Sequence, residues 1–538
     1  MTQDGGIVEN APLPDTGTGG WNPKLALLLA MAMFVLVVDT TLMNVSIAAV
    51  VEDLDTTVSG VQAAIAIEAL VSAAFILISS KVADLIGRKK AYVIGLLAYA
   101  IGALTMTITT SLGPMILFWG IFGGLGASLL LPAMQALIHG NFAGSAQRRV
   151  YALVGASAAI AAAVGPLIGG FVTTYLSWRI GFALEVVIIG VVLMGIGLVR
   201  DVSFTGDRRM DLVGALFSIL GMGGLVMGIL VWQEGGERVG LLIAIGLTSL
   251  TALGFWLVKR KREGKVPLLD PDLLLSKMFR LGITGQMLQQ IALGGSMIVV
   301  PIFLQMVLEY DAMQTGLTLA PLSLTMFLVA MIAGKRAGKR RPAGIIRAGF
   351  GLLALGILVM IPIVPRTDSG WWLTIPLFIM GLGLGLLVSQ LNNYALAPIS
   401  EERVSEAAGV NSAAGSFGLS FGLAFAGGIM LATLSFTFVS MSEASTVLPA
   451  AEQERVAIVL EEDAQVMSNT QLEELLAEQP DAIADEVVRI NTESRPRALQ
   501  AALLIPLLAA VVGFVNGFRM MRLPDVTPSA DIEGLLGG

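Results

Sequence analysis

The chain has 538 residues, of which 55% are hydrophobic and only 14% are charged, with a mean hydropathy of +0.81. A soluble domain usually carries about 25% charged residues, so this composition excludes a soluble enzyme of this length. The formal net charge is −7 and there is no cysteine, which excludes disulfide bonds and thiolate chemistry.

Fourteen long apolar segments follow one another along the chain. A helix needs about 20 apolar residues to cross a hydrocarbon core of roughly 30 Å. The predicted spans are 25–50, 61–80, 91–110, 114–138, 151–175, 180–199, 212–232, 239–258, 281–308, 313–334, 343–364, 371–397, 407–438 and 498–519. With the amino terminus inside, the inner loops and the inner ends of the spans hold 26 of the 33 lysines and arginines, as expected of the cytoplasmic side. We therefore predict an all-α polytopic protein of the bacterial cytoplasmic (inner) membrane, with both termini cytoplasmic.

The spans divide into two groups of six around an extra pair. Residues 1–20 are polar and are expected to be a disordered cytoplasmic tail, followed by an N-terminal six-helix bundle over 21–205. An inserted helix pair with basic linkers covers 206–270, and 271–438 holds the first five helices of a C-terminal bundle. The last transmembrane helix is predicted at 498–522, before a cytoplasmic tail at 523–538.

One connection, at 439–497, is much longer than the others and contains 13 acidic residues. Its position after an odd-numbered span makes it extracytoplasmic, and 452–467 and 471–478 are candidate amphipathic helices. We interpret it either as a solvated acidic cap or as a gate that concentrates cations.

The loop between the second and third spans reads S-K-V-A-D-L-I-G-R-K-K over 80–90. Gly87 permits a tight turn between two helices, and basic residues anchor such a turn at anionic headgroups. Asp84 can face a helix amino terminus or the nearby Arg88, which would form a charge lock that breaks when the bundles move.

The fifth span contains G-P-L-I-G-G over 165–170 after an alanine-rich stretch. Gly165, Gly169 and Gly170 allow a neighbouring helix to approach closely, and Pro166 removes a backbone donor and bends the axis. The pattern predicts a kinked, close-packed helix between the two bundles.

These motifs resemble those of one large transporter family. The 80–90 loop is similar to the loop signature of the major facilitator superfamily, and the 165–170 motif resembles that of its antiporters. V-D-T-T-L-M-N-V at 38–45 resembles the first span of its 14-helix drug:proton antiporters. Further similarities are Trp178-Arg179, Arg209-Met210-Asp211 and Phe303-Leu304-Gln305, with Gly316 and Pro321. The resemblance implies two six-helix bundles plus two inserted helices, and conformational or gating roles for Asp84, Gly87, Arg88, Gly165, Pro166, Gly169 and Gly170.

The chain departs from that family where charge matters. Gly120 and Gly415 stand where the family usually carries arginine, although Asn411 is kept. Glu68 and Glu185 stand where the family usually has tyrosine and asparagine. Two cations are therefore lost and two acids gained, which puts the usual proton coupling in question.

Ionisable groups inside a span are costly and are candidate functional residues. We predict proton coupling by Asp39 and Glu68, and substrate binding by Asp39, Glu68 and Glu185, since burial without a cation favours the protonated carboxyl. The alternatives are a neutral Asp39 bonded to Thr40 or Asn44, and interfacial, water-facing glutamates.

Gln286, Gln289 and Gln290 share a helix face in the C-terminal bundle. This stripe either lines the substrate cavity or bonds neighbouring helices. We include the three glutamines among the candidate substrate-binding residues.

The sequence thus predicts a monomeric proton-coupled exporter of hydrophobic, cationic drugs or toxic compounds, in contact with membrane lipids. It needs no metal or cofactor beyond the proton gradient and binds no nucleic acid. One alternative is a lipid or amphipath exporter with altered coupling, and another is a receptor or scaffold that uses the external loop. An ATP-driven pump is disfavoured because no GxxxxGK[ST] loop occurs. An enzyme is disfavoured because the chain has one histidine and no cysteine.

Overall fold

The computed structural model describes residues 21–142, 144–201, 210–233, 236–335, 341–399, 403–449, 470, 472–473, 476–477 and 479–524. Within these residues fourteen helices are long and apolar enough to cross a membrane, as predicted. They are α1 (Pro23–Val45), α2 (Val58–Ile86), α3 (Arg88–Ile108), α4 (Leu112–Asn141), α5 (Arg149–Tyr175), α6 (Trp178–Leu198), α7 (Leu212–Gln233), α8 (Val239–Arg262), α9 (Lys277–Val307), α10 (Ala312–Ala333), α11 (Pro342–Arg366), α12 (Gly370–Leu396), α13 (Glu406–Glu443) and α14 (Asp481–Met521).

Local signals set where the helices begin and end. The Asn22 side chain accepts a hydrogen bond from the backbone N–H of Leu25 at 3.2 Å, and Pro23 occupies the first position of α1. The Thr57 hydroxyl accepts from the N–H of Gly60 at 3.1 Å at the start of α2. Gly87 ends α2 with a φ of 101°, which side-chain-bearing residues rarely adopt. Polar capping residues therefore set where α1 and α2 begin, and Gly87 sets where α2 ends.

The helices form the two predicted bundles. In the first, α1 packs on α5 and α2 on α4, while in the second α9 packs on α13 and α12 lies between α10 and α11. The two bundles meet along α5 with α10 and along α2 with α13. The inserted helices α7 and α8 pack on each other, and α7 also contacts both α2 and α13.

We call the end of the molecule that carries the loop between α2 and α3 the inner end, and the opposite end the outer end. Several contacts between the bundles lie toward the outer end. The N–H of Ala48, just after α1, donates to the Gln305 side chain at 2.9 Å, and the N–H of Met313 donates to Thr174 at 2.9 Å. Nearer mid-helix, the Ser420 hydroxyl donates to the carbonyl of Ala66 at 2.6 Å. The structure is therefore closed at its outer end.

At the inner end, the linker after α8 ties the inserted pair to the second bundle. Lys261 bonds Asp270 at 2.5 Å and also pairs with Asp272, while Arg403 reaches Asp270 at 2.7 Å. The N–H of Asp270 donates to the Glu406 carboxylate at 2.7 Å. Partial burial opposes ionisation of Asp270, but the hydrogen bond from Lys261 and the charge of Arg403 hold its pKa below the usual value.

The helices on both sides of the predicted outer loop at 439–497 are longer than expected, and the helix that contains the predicted span at 498–522 begins earlier. Helix α13 continues to Glu443 and α14 already begins at Asp481. Residues 481–497 are too polar to count as a span, but Val487 and Ile490 are buried in the core. The Ser445 hydroxyl also donates to Glu486 at 2.6 Å. The candidate helix at 452–467, part of that at 471–478, and the tails 1–20 and 525–538 lie outside the described residues.

Replacing residues 444–480 by a short Gly/Ser linker should leave export intact if this segment is a cap. The replacement keeps α13 and the outer part of α14, so insertion into the membrane should not change. The measurement is export by correctly inserted protein. Loss of export would assign the segment a gating role instead.

Candidate functional site

Asp39 lies in the outer half of α1, with only 1% of its surface exposed. Tyr99 of α3 donates its hydroxyl to the Asp39 carboxylate. Trp119 of α4 donates its indole N–H, which lies 3.1 Å from each carboxylate oxygen. Both donors come from other helices. The alternative prediction, in which Thr40 or Asn44 of the same helix would bond Asp39, is therefore not the arrangement seen. In the part of the chain that is described, no lysine or arginine pairs with Asp39.

The other two predicted acids lie near Asp39. A Cβ at Gly181 of α6 would meet the Leu42 side chain of α1, and Glu185 and Asp39 each lie one helical turn from that contact, so the two carboxyls occupy the same level of the bundle. Glu68 and Glu185 are both within electrostatic range of Asp39. Glu185 is 2% exposed, and within the described part of the chain neither of its carboxyl oxygens has a hydrogen-bond partner. Glu68 is half-buried. The structure thus gathers the three acids into one group, which we call the acid cluster, and it does not support a water-facing Glu185.

A π-helical segment at Met115–Gly123 within α4 carries Trp119 and Gly120. Its wider turn is a common feature of functional sites. Trp119 faces Asp39 of α1, whereas a Cβ at Gly120 would be 3.4 Å from the carbonyl of Ala64 in α2. The place of the family's arginine is therefore taken by close packing of α2 on α4, and the cluster gains no cation there.

Sequence reasoning missed Tyr99 and Trp119. Aromatic residues with polar tips favour the membrane interface, so Tyr99, in the middle of α3, was a usable signal, whereas Trp119 lies near the outer end of α4 and was not. Trp119 is also held by an aromatic column, since its ring lies edge-on to Phe182 at 6.2 Å, and Phe182 lies edge-on to Trp178 at 5.9 Å. The column ends at Asp53, which accepts from the Trp178 indole at 2.9 Å.

Two glutamines of the predicted stripe on α9 lie against α13, and the third is buried. Gln286 and Gln290 face α13, because a Cβ at Gly415 would lie 3.4 Å from the Gln286 amide nitrogen and 3.7 Å from Cγ of Gln290. Gln289 is 3% exposed. The Gln290 amide oxygen is buried without a hydrogen-bond partner, so Gln290 stays a candidate for contact with a substrate.

The 165–170 motif brings α5 against both bundles. Gly165 faces the Thr41 side chain, and a Cβ at Gly169 would lie 2.9 Å from Cα of Leu42 in α1. A Cβ at Gly170 would lie 2.9 Å from Cα of Met313 in α10. The predicted close packing of this helix between the bundles is therefore present, with Pro166 inside the helix.

The predicted Asp84–Arg88 ion pair is formed at the inner end. Nε and Nη2 of Arg88 each lie 3.2 Å from one Asp84 oxygen. The turn is closed by Asp201, which follows α6 and accepts the N–H of Lys89 at 3.0 Å. A Cβ at Gly87 would lie 3.0 Å from the Asp201 carboxylate. Sequence reasoning did not identify Asp201.

Asp84→Asn should lower turnover while leaving substrate affinity within about tenfold, or about 1.4 kcal/mol. The substitution removes the charge of the ion pair but does not touch the acid cluster. The pair is formed here although the outer end is closed, so the hypothesis that it locks the outward-facing state stays a prediction. Initial export rate and equilibrium binding, measured on the same preparations, separate the two effects. Lys90→Gln, an exposed position in the same loop, is the control, and unchanged turnover in Asp84→Asn would remove the lock.

Comparison with known proteins places this architecture among transporters. A family model described as Major Facilitator Superfamily matches residues 29–209 and 203–423. The Multidrug resistance protein Stp of Mycobacterium tuberculosis is 25% identical over 510 residues, covering 94% of this chain and 93% of that protein. The Puromycin resistance protein pur8 of Streptomyces alboniger is 28% identical over 431 residues, covering 78% and 84%. The Multidrug export protein EmrB of Escherichia coli is 25% identical over 411 residues, covering 74% and 78%.

Solved structures agree on the fold. A bacterial homologue of the human lysosomal transporter Spinster, in an inward-facing and unoccupied conformation, superposes with a TM-score of 0.63. It is 12% identical, and the match covers 94% of this chain and 99% of that one. A peptide transporter POT in complex with sulfate gives a TM-score of 0.55 at 16% identity, covering 96% of both chains. At these identities the likeness concerns the fold alone.

Proposed function

Because this chain belongs to the major facilitator superfamily, whose members are transporters and not enzymes, we propose that it exports hydrophobic, cationic drugs or toxic compounds in exchange for protons. The similar proteins are drug and antibiotic resistance or export proteins, which supports the 14-helix drug:proton antiporter family and a drug exporter. The fourteen spans make it a membrane protein. Its place in the bacterial inner membrane, its monomeric state and its use of the proton gradient belong to the proposal.

The observation that carries the proposal is the acid cluster. Glu68 and Glu185 lie within electrostatic range of Asp39 inside the first bundle, and among the described residues no lysine or arginine forms an ion pair with any of the three. A buried anion without a partner is costly, so such a group takes up either a proton or a cationic ligand. That competition is the chemistry an exchanger of protons for cations requires.

The fold supplies the second requirement, which is access from one side at a time. Transporters with two related bundles bind substrate near the midplane and rock the bundles about it. Here the outer end is closed by contacts of α5 with α10 and of α1 with α9. A cation would enter the cluster from the inner side and release protons there. After the bundles rock, protons from outside would displace the cation.

Purified protein in liposomes tests this proposal directly. An imposed pH gradient should drive transport of organic cations, and a protonophore that collapses the gradient should abolish it. Neutral compounds of similar size should be transported more slowly, because they gain nothing from the carboxyls. Gradient-independent transport of every compound class would contradict the exchange.

A second candidate is an exporter of lipids or other amphipaths with altered coupling. It is favoured by one observation, the replacement of two family arginines by Gly120 and Gly415. A fluorescent lipid analogue belongs in the same liposome assay. Its transport without transport of organic cations would favour this candidate, and binding without transport of any compound would favour a receptor.

A further inference from the structure

Two carboxyls of the acid cluster have opposite surroundings although they lie close together. Asp39 accepts hydrogen bonds from Tyr99 and, at 3.1 Å, from Trp119. Glu185 of α6 is equally buried, yet neither of its oxygens has a hydrogen-bond partner. Both side chains are more than nine-tenths buried, so burial does not distinguish them, whereas their hydrogen bonds do.

Among the described residues around Glu185, no hydrogen-bond donor or cation is positioned to stabilise a negative charge. Helices α1, α3 and α5 pack against α6. Asp39 of α1 places a negative charge near Glu185. Tyr99 of α3 also lies near Glu185, but its neutral hydroxyl donates its hydrogen bond to Asp39. On α5 the ionisable residues of the described part, Arg149, Tyr151 and Tyr175, lie toward the two helix ends. On α6 itself, Arg179 pairs with Asp53 at the outer end.

Physical chemistry then assigns different states to the two groups. Hydrogen-bond donors aimed at a carboxylate favour its anion. A buried carboxylate without donors is strongly disfavoured, and a neighbouring anion disfavours it further. This is the general pattern in which two carboxyls of one site take separate acid and anion roles because their environments differ.

We infer that Glu185 holds the exchangeable proton of the resting site, while Asp39 remains the fixed anion that attracts the cation. This inference rests on the proposed function and refines it, since sequence alone gave the coupling role to Asp39 and Glu68. When a monovalent cation enters, the Glu185 O–H bond breaks and its proton passes to water on the open side. Glu185 becomes an anion beside the cation, so the total charge of the site is the same before and after the exchange.

Infrared spectroscopy of the membrane-reconstituted protein observes this proton without any transport. A protonated carboxyl gives a C=O stretching band that shifts in D2O. We expect Glu185→Gln to remove such a band at neutral pH and Asp39→Asn to leave it in place. Glu68→Gln is the comparison variant, because it removes the other glutamate of the acid cluster and leaves Glu185 in place. A band that survives Glu185→Gln, or that is lost in Asp39→Asn, overturns the assignment.

Cation binding gives a second, independent readout. If one proton leaves for each tetraphenylphosphonium ion bound, the Kd of the parent should rise about tenfold for each pH unit of acidification, since one unit corresponds to 1.36 kcal/mol. Glu185→Gln should lose this slope while still binding the ion. If Glu185→Gln does not fold, Glu185→Asn can be measured instead, since asparagine is the residue usual at this position in the related family. A parental slope in either variant contradicts the inference, whereas absent transport by the parent contradicts only the proposed function.

Discussion

Asp39→Asn should abolish pH-driven export of organic cations while binding of neutral compounds survives. The substitution keeps the side-chain volume but replaces the one carboxylate of the cluster that Tyr99 and Trp119 hold in place. A hydrogen bond to a charged group is worth about 1.5–3 kcal/mol, so cation affinity should fall roughly 10- to 150-fold. Export from liposomes under a fixed pH gradient, with equilibrium binding of a cation and a neutral compound, measures both effects.

Two variants show whether the charge or the local structure matters. Trp119→Phe removes one donor and leaves the Asp39 carboxyl, so it should weaken cation binding less than Asp39→Asn does. Glu68→Gln should weaken cations selectively relative to neutral substrates without abolishing the response to pH. If Asp39→Asn exports cations at the parental rate under the same gradient, Asp39 has no part in the exchange, and Glu185 and Glu68 become the residues to test.

The membrane helices were predictable because a hydrocarbon core imposes both a length and a composition on whatever crosses it. All fourteen spans were found, and the boundaries were usually within a few residues. The exception was α14, which begins at Asp481 and not at 498. Residues 481–497 form a helix that packs one face on α13 in a polar setting, and hydropathy gives no signal for such a segment.

The acid cluster was predictable only as separate residues. Each acid is conspicuous because charge inside a span is costly, but nothing in the sequence says that Glu185 approaches Asp39. That proximity depends on the packing of α6 against α1. The partners of Asp39 were harder still, because the π-helical segment of α4 changes the direction in which Trp119 projects. A regular helical periodicity does not predict that direction.

The packing shows what stands at Gly120 in place of the family's arginine. Gly120 is not an empty place in the site, since α2 approaches its backbone. One turn further on, a Cβ at Gly124 would lie 2.7 Å from the carbonyl of Glu68. At this position the chain therefore has close packing of α2 on α4. No cation from α4 neutralises the acid cluster among the described residues.

The second large effect is expected from Gly170→Ala, which should slow export by destabilising the structure closed at the outer end. The added methyl group would lie 2.9 Å from Cα of Met313 and closer still to the carbonyl of Ala312, so the α5–α10 contact must open. Overpacking of this kind costs about 1–3 kcal/mol, or roughly 5- to 150-fold in the equilibrium between the closed and open outer end.

Spin labels report that equilibrium directly, and the chain suits them because it has no native cysteine. Leu176→Cys and Asp311→Cys place labels at the exposed outer ends of α5 and α10, and Gly170→Ala should shift the measured distances toward longer values. Gly155→Ala is the matched control on the same helix, because nothing lies within 4 Å of a Cβ at that position. It should change neither distances nor export. Parental distances and parental export in Gly170→Ala would show that the close approach of α5 to α10 is packing without a role in closure.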